Sequence, residues 1–219
     1  MAGSSDALAV VQRTRLLPVV VIDDAQGAVP LADALCAASL PIAEITLRTP
    51  AALPVLERLA ARDDLLVGAG TVLTAEQARR AIDAGASFVV SPGFDDGVVS
   101  VCRAQRVPVL PGVATASEIQ RAFVHQFRVV KYFPAEASGG STALSALSAP
   151  FGEMKFIPTG GIAQHNVDDY LALPSVLAVG GSWMVPRVAL SAARWDEIRR
   201  LAAAAVARCV PDSAGVGRA

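Results

Sequence analysis

Eight short β-branched runs, each followed by a stretch with helical periodicity, predict an α/β chain closed into a single-domain (β/α)8 (TIM) barrel. The runs start near Pro18 (PVVVI), Ile42 (IAEIT), Leu65 (LLVGA), Ser87 (SFVVS), Val107 (VPVL), Arg128 (RVVKY), Met154 (MKFIP) and Val176 (VLAVG). Successive starts lie 24, 23, 22, 20, 21, 26 and 22 residues apart, room for one strand, one helix and two short loops. Strands joined by crossovers of that length run parallel. A doubly wound open sheet has fewer strands and wants a glycine-rich fingerprint after the first, whereas PVVVI is followed by Asp23-Asp24-Ala25.

The intervening segments carry helix starts. Thr74-Ala75-Glu76-Gln77 precedes the periodic Ala78, Ile82 and Ala86, and Thr115 to Glu118 reads as a capping box. The chain's 219 residues suit one hydrophobic core. Residues 1–210 are expected to form the barrel, and the Gly/Ala/Ser-rich tail 211–219 to be frayed.

Composition narrows the function classes. Apolar residues are 53%, charged 18% and aromatic 5%, so the chain folds rather than staying disordered. Nineteen basic against 20 acidic residues give a formal charge of -1 without any block of like charge, which argues against a nucleic-acid partner. Cys36, Cys102 and Cys209 lie far apart, with no C-x-x-C pair and no histidine at ligand spacing, so they read as buried, reduced, intracellular thiols, and no metal is expected. Met1 to Arg15 carries Asp6 early and its arginines late, the wrong order for a secretory signal. The longest uncharged run, the 17 residues Tyr170 to Pro186, is interrupted by Pro174, Gly180 and Gly181 and is marginal for a membrane span. A soluble cytoplasmic protein with no membrane partner is the expectation.

Barrel active sites lie at the C-terminal ends of the strands, which directs attention to four places. Only Lys131 and Lys155 are lysines, the other 17 basic residues being arginines, and Lys131 stands in the apolar run Arg-Val-Val-Lys-Tyr-Phe-Pro. Desolvation of an ammonium there, without a partner, favours the neutral amine, a nucleophile toward ketones. A structural ion-paired lysine, or one whose stem reaches out to water, fits the same residue. Lys155 stands near the start of its strand, away from the mouth, and ranks below it.

In Ile42-Ala43-Glu44-Ile45-Thr46-Leu47-Arg48, alternation turns Glu44, Thr46 and Arg48 to the barrel axis. A carboxylate there is costly unless paired or functional. It either pairs with Arg48, or transfers protons while Arg48 presents its planar fork to a substrate carboxylate. Two glycine turns, Pro158-Thr159-Gly160-Gly161-Ile162 and Val179-Gly180-Gly181-Ser182-Trp183, follow the last two strands, where barrels commonly hold phosphate. Gly68-Ala69-Gly70-Thr71 places a hydroxyl beside a permissive backbone. His125, in a helix-to-strand connection, and His165, at the start of the helix after the glycine turn, read as surface or cap residues.

Seven blocks in order carry a family resemblance: residues 44–49 (EITLRT), 67–72 (VGAGTV), 91–93 (SPG), 111–115 (PGVAT), 131–136 (KYFPAE), 158–162 (PTGGI) and 180–183 (GGSW). From about Pro18 to Ala207 the chain resembles the 2-keto-3-deoxy-6-phosphogluconate (KDPG) aldolases, class I aldolases of the Entner–Doudoroff route. The resemblance implies Lys131 as Schiff-base lysine and Glu44 as acid/base. It implies that Arg48 and Thr71 hold the pyruvate end, with Pro92 and Phe133 lining it. Gly161 and Ser182 would receive the phosphate, Gly160 and Gly181 beside them would also bind substrate, and Thr159 would lie along the hydroxylated carbons of a sugar-acid phosphate. A cytoplasmic homotrimer without metal or other cofactor is implied, as is activity on 4-hydroxy-2-oxoglutarate. Tyr132 stands where Phe is expected, and Val113-Ala114 where Ile-Ser is expected. Other readings of the same residues are an aldolase for the phosphogalactonate epimer, against which Thr159 argues weakly, a phosphate-binding barrel isomerase or epimerase, and a non-catalytic sugar-phosphate binder.

Overall fold

Strand and helix alternate along residues 4–209, the part of the chain described by the computed structural model. The strand segments are β1 (Leu16–Val20), β2 (Ile42–Thr46), β3 (Leu66–Gly70), β4 (Val89–Val90), β5 (Val109–Leu110), β6 (Gly112–Val113), β7 (Val129–Tyr132), β8 (Lys155–Pro158) and β9 (Val179–Gly181). Every pairing between them is parallel, in the orders β5-β4-β3-β2-β1-β9 and β6-β7-β8. Pro111 separates β5 from β6. It has no N–H to give the ladder, yet its carbonyl still accepts from the Lys131 amide at 3.0 Å, so the two segments are halves of one barrel strand. A bridge from Thr159, directly after β8, to Gly180 in β9, with a second from Phe156 in β8 to Val176 ahead of β9, closes the ring. Eight strands result, the number predicted from the repeat.

Burial on both faces explains why the strands read as near-continuous apolar runs: all five residues of β2 are buried, Glu44 and Thr46 included. Inside the barrel, large and small residues alternate. Phe88 is 1% exposed, and a side chain at Gly68 would run into its ring, so a bulky aromatic and a glycine together fill one layer.

The crossover helices are α2 (Ala28–Ala37), α3 (Ala52–Ala60), α4 (Ala75–Asp83), α5 (Asp96–Ala104), α6 (Ala116–Val124), α7 (Gly140–Ser148) and α8 (Val167–Leu171), and α9 (Arg187–Ser191) and α10 (Trp195–Cys209) come after the last strand. They follow α1 (Ser4–Thr14), an element that testing the N-terminus only as a signal sequence left unforeseen; its Ala7 and Val11 join the core. Thr74 caps α4 through the Gln77 amide, and Thr115 and Glu118 form the capping box of α6. Thr115 is exposed, so Thr115→Ala tests the cap alone. It is expected to cost about 1 kcal/mol and to lower Tm by about 2–4 °C in thermal unfolding, and an unchanged Tm would refute that role.

Four expectations are corrected. Gly180 and Gly181 lie within β9 rather than in a turn after it, and neither has a positive φ: they leave room for Thr159 and for the Trp183 ring. Arg48 lies beyond the end of β2 and is exposed, because the ladder to β3 ends at Thr46↔Gly70 and alternation no longer holds past it. Cys36 is half-buried, its thiol donating to the Asp64 carbonyl at 3.3 Å; only Cys102 and Cys209 are buried, and no disulfide joins the three. His165 precedes α8 instead of starting it. The expected frayed tail, 211–219, lies outside the described residues. Among the described residues no helix is long and apolar enough to cross a membrane.

Candidate active site

Glu44 on β2 and Lys131 on β7 belong to the second and sixth barrel strands, counting β5 and β6 as one. Alternate strands contribute to the same interior layer, so the two side chains meet across the barrel although 87 residues separate them. Lys131 Nζ lies 3.3 Å from Glu44 Oε1. Glu44 is 0% and Lys131 6% exposed, and Glu44 Oε2 has no hydrogen-bond partner among the described residues. The Phe133 ring stands 5.3 Å from Nζ and offers the amine an aromatic face. The amine is therefore not the partnerless ammonium considered above, and Glu44 pairs with it rather than with Arg48. One carboxylate oxygen contacts the amine while the other remains available to accept or donate a proton.

Space for Glu44 comes from Gly70. A Cβ at that position would lie 2.5 Å from Glu44 Cγ and 2.6 Å from Cδ, and closer still to Oε1. The residue that does adopt a left-handed backbone is its neighbour Thr71, with φ of 56°. For a β-branched side chain that conformation is strained, and such strain clusters at functional sites. The sequence signal at Gly68-Ala69-Gly70-Thr71 was thus present, but its physical basis is volume at Gly70 rather than backbone freedom.

Pro92 and Phe133 follow β4 and β7 and are half-buried at the mouth. Gly112 permits the main chain at Pro92 and Gly93 to approach, since a Cβ there would lie 2.7 Å from the Gly93 amide nitrogen. Ser91 donates to the Gly93 carbonyl at 2.7 Å, and Thr46 to the Val20 carbonyl at 2.8 Å, so neither hydroxyl is idle.

Beyond β8 the chain turns through Gly160 (φ 100°) and Gly161 (φ 81°). Asn166, which the sequence reading passed over, holds this turn: its Nδ2 donates to the Gly161 carbonyl at 3.1 Å and its Oδ1 accepts from the Ala163 amide at 2.8 Å. The Gly160 carbonyl is also taken, by a main-chain amide at 3.0 Å. The N–H groups of Gly160, Gly161 and Ile162 donate to no acceptor among the described residues. A turn with its carbonyls tied back and its amides free is suited to an anion. Ser182, directly after β9, is exposed, Gly181 is buried, and Thr159 is buried at 4% exposure beside Gly180.

The family model described as KDPG and KHG aldolase matches residues 8–201. The chain belongs to the KDPG and KHG aldolase family. The 2-dehydro-3-deoxy-phosphogluconate aldolase of Pseudomonas aeruginosa is 46% identical over 198 residues, 90% of each chain. Among solved structures, the KDPG aldolase of Legionella pneumophila, with pyruvate captured as a covalent carbinolamine, is similar with a TM-score of 0.87 and 41% identity, covering 90% of this chain and 97% of that one. The 2-keto-3-deoxy-6-phosphogluconate aldolase of Zymomonas mobilis with 3-phosphoglycerate has a TM-score of 0.86 at 39% identity, covering 94% and 97%.

In this member of the KDPG and KHG aldolase family the second lysine is far from the mouth. Lys155 opens β8 and its amine donates to the Pro174 carbonyl at 2.9 Å. His125 caps the C-terminus of α6 with its ring 5.0 Å from that of Phe94, and His165 is exposed. No group of three or more His, Cys, Asp or Glu that could hold a metal occurs among the described residues.

Proposed function

We propose that the chain is a class I aldolase that cleaves 2-dehydro-3-deoxy-6-phosphogluconate to pyruvate and D-glyceraldehyde 3-phosphate, and 4-hydroxy-2-oxoglutarate to pyruvate and glyoxylate. The observation that carries the reading is the Lys131 amine 3.3 Å from a fully buried carboxylate, Glu44, whose second oxygen has no partner among the described residues. The amine adds to the C2 ketone, water leaves, and the resulting iminium becomes an electron sink. Glu44 takes the proton of the C4 hydroxyl, the C3–C4 bond breaks, and its electron pair flows to the iminium to give an enamine while the aldehyde departs. Glu44 returns the proton to C3, and water hydrolyses the imine to free pyruvate and the lysine.

Family membership, together with position, supports the following binding roles. Arg48, exposed at the rim and without an ion pair among the described residues, and Thr71 take the pyruvate carboxylate, with Pro92 and Phe133 as its walls. Thr159 runs along the hydroxylated carbons. The amides of Gly160 and Gly161, with Gly181 and Ser182, receive the phosphate. Family membership supports a homotrimer, and thiols free of disulfides suit the reducing cytoplasm.

The test is pyruvate release from 2-dehydro-3-deoxy-6-phosphogluconate in the presence of EDTA, followed by borohydride reduction of the protein with pyruvate. Because Lys131 and Lys155 are the only lysines, a peptide map resolves two outcomes. Steady release with a stable adduct on the Lys131 peptide is expected. An adduct on Lys155 alone would move the site, and release abolished by EDTA would replace the imine with metal chemistry.

A further inference from the structure

The Gly160–Gly161 turn is fastened on one side by Asn166 and on the other by Glu136, a residue in the loop after β7 to which no role has been given. Glu136 meets the turn twice. Its amide donates to the Gly160 carbonyl at 3.0 Å, and its side chain occupies the place of the side chain that Gly161 lacks: a Cβ there would lie 2.5 Å from Glu136 Cγ and 2.6 Å from Cβ. The carboxylate end is held by the hydroxyl of Tyr170 on α8, which donates to Oε1. Tyr170 is 1% exposed, so its hydroxyl has little choice of partner.

A carboxylate beside an anion-binding turn is unfavourable unless something fixes its direction, because like charges repel and because a free carboxylate can itself fold onto unpaired amides. We propose that Tyr170 and Glu136 are positioning residues for the phosphate-binding turn: the phenol holds the carboxylate away from the Gly160, Gly161 and Ile162 amides, so that a phosphorylated substrate meets them empty. Burial, and after it the hydrogen bond to Glu136 and that residue's charge, push the Tyr170 phenol above its ordinary range, so it remains a neutral donor throughout the physiological interval. Neither residue contributes to handling the keto-acid end, which lies with Lys131, Glu44, Arg48 and Thr71. The inference rests on the aldolase reading and names a determinant of its preference for phosphorylated substrates.

Two substrates separate this role from a general one. Tyr170→Phe removes only the hydroxyl and is expected to raise KM for 2-dehydro-3-deoxy-6-phosphogluconate about three- to tenfold, the range of one ordinary hydrogen bond, with kcat nearly unchanged. Cleavage of 4-hydroxy-2-oxoglutarate, which has no phosphate, should stay within about twofold of the parent, below that single-bond range. Glu136→Gln keeps an oxygen that accepts from the phenol, so its KM for the phosphorylated substrate should remain at or below the parent's, and Glu136→Ala, which leaves no carboxylate to fold onto the amides, should likewise not raise it. If Tyr170→Phe lowers kcat/KM for both substrates alike, or for neither, the positioning role is overturned while the aldolase reading stands. A parent protein that cleaves neither substrate overturns both.

Discussion

Lys131→Met is expected to leave cleavage of 2-dehydro-3-deoxy-6-phosphogluconate at least about 10⁴-fold below the parent rate, the scale of loss when a covalent nucleophile is removed. Methionine keeps the length and packing of the lysine stem, so the loss isolates the amine. It also leaves the Glu44 carboxylate buried without its cation, and removing one partner of a buried pair costs about 3–5 kcal/mol. For a chain of this length that corresponds to a Tm lower by about 6–20 °C. The activity comparison therefore belongs well below the variant's Tm, with folding checked by circular dichroism. The double variant Lys131→Met with Glu44→Gln removes the orphaned charge and should regain part of the lost Tm without any activity. A Lys131→Met variant that turns over substrate near the parent rate would remove the imine from the mechanism.

Why both residues stood out, and why their contact did not, is a matter of range. Lys131 was legible because one of only two lysines lies in an apolar run, and Glu44 because period-two alternation puts it on the axial face of β2. Both are local patterns. Their 3.3 Å contact is set by barrel closure across 87 residues, which no window along the chain reports. Arg48 shows the same limit from the other side: alternation predicted an inward arginine, but the period lasts only as long as the ladder, and β2 stops at Thr46.

The strands themselves were legible from β-branched runs because they are buried on both faces. Their boundaries were less so where a ladder depends on the neighbour. Val176, read as the start of the eighth strand, makes only an isolated bridge to Phe156, and β9 begins at Val179 opposite Leu16. The glycines were legible as glycines, but their reasons divide in a way that sequence does not express. Gly160 and Gly161 serve a left-handed turn, whereas Gly70 and Gly180 serve to keep a neighbour's side chain in place.

Gly70→Ala turns that last distinction into a measurement. Its backbone is not in the left-handed region, so alanine meets no conformational objection there, and the whole effect of the added methyl falls on what it touches. That is Glu44, 0% exposed, whose Cγ and Cδ would stand 2.5 Å and 2.6 Å away. Overpacking of this kind costs about 1–3 kcal/mol, a Tm change of about 2–12 °C. Displacing the proton-transfer group by even about 1 Å is expected to lower kcat about 100-fold. The decisive comparison is Glu44→Asp measured in both backgrounds. Aspartate is one methylene shorter and vacates the volume that the methyl takes, so its penalty should be smaller beside the methyl introduced by Gly70→Ala than beside the native glycine. Non-additivity of that sign locates the damage at the contact between position 70 and the carboxylate. Strictly additive losses, or a Gly70→Ala protein with parental kcat, would show that the carboxylate does not depend on the empty space beside it, and that Glu44 is held by Lys131 alone.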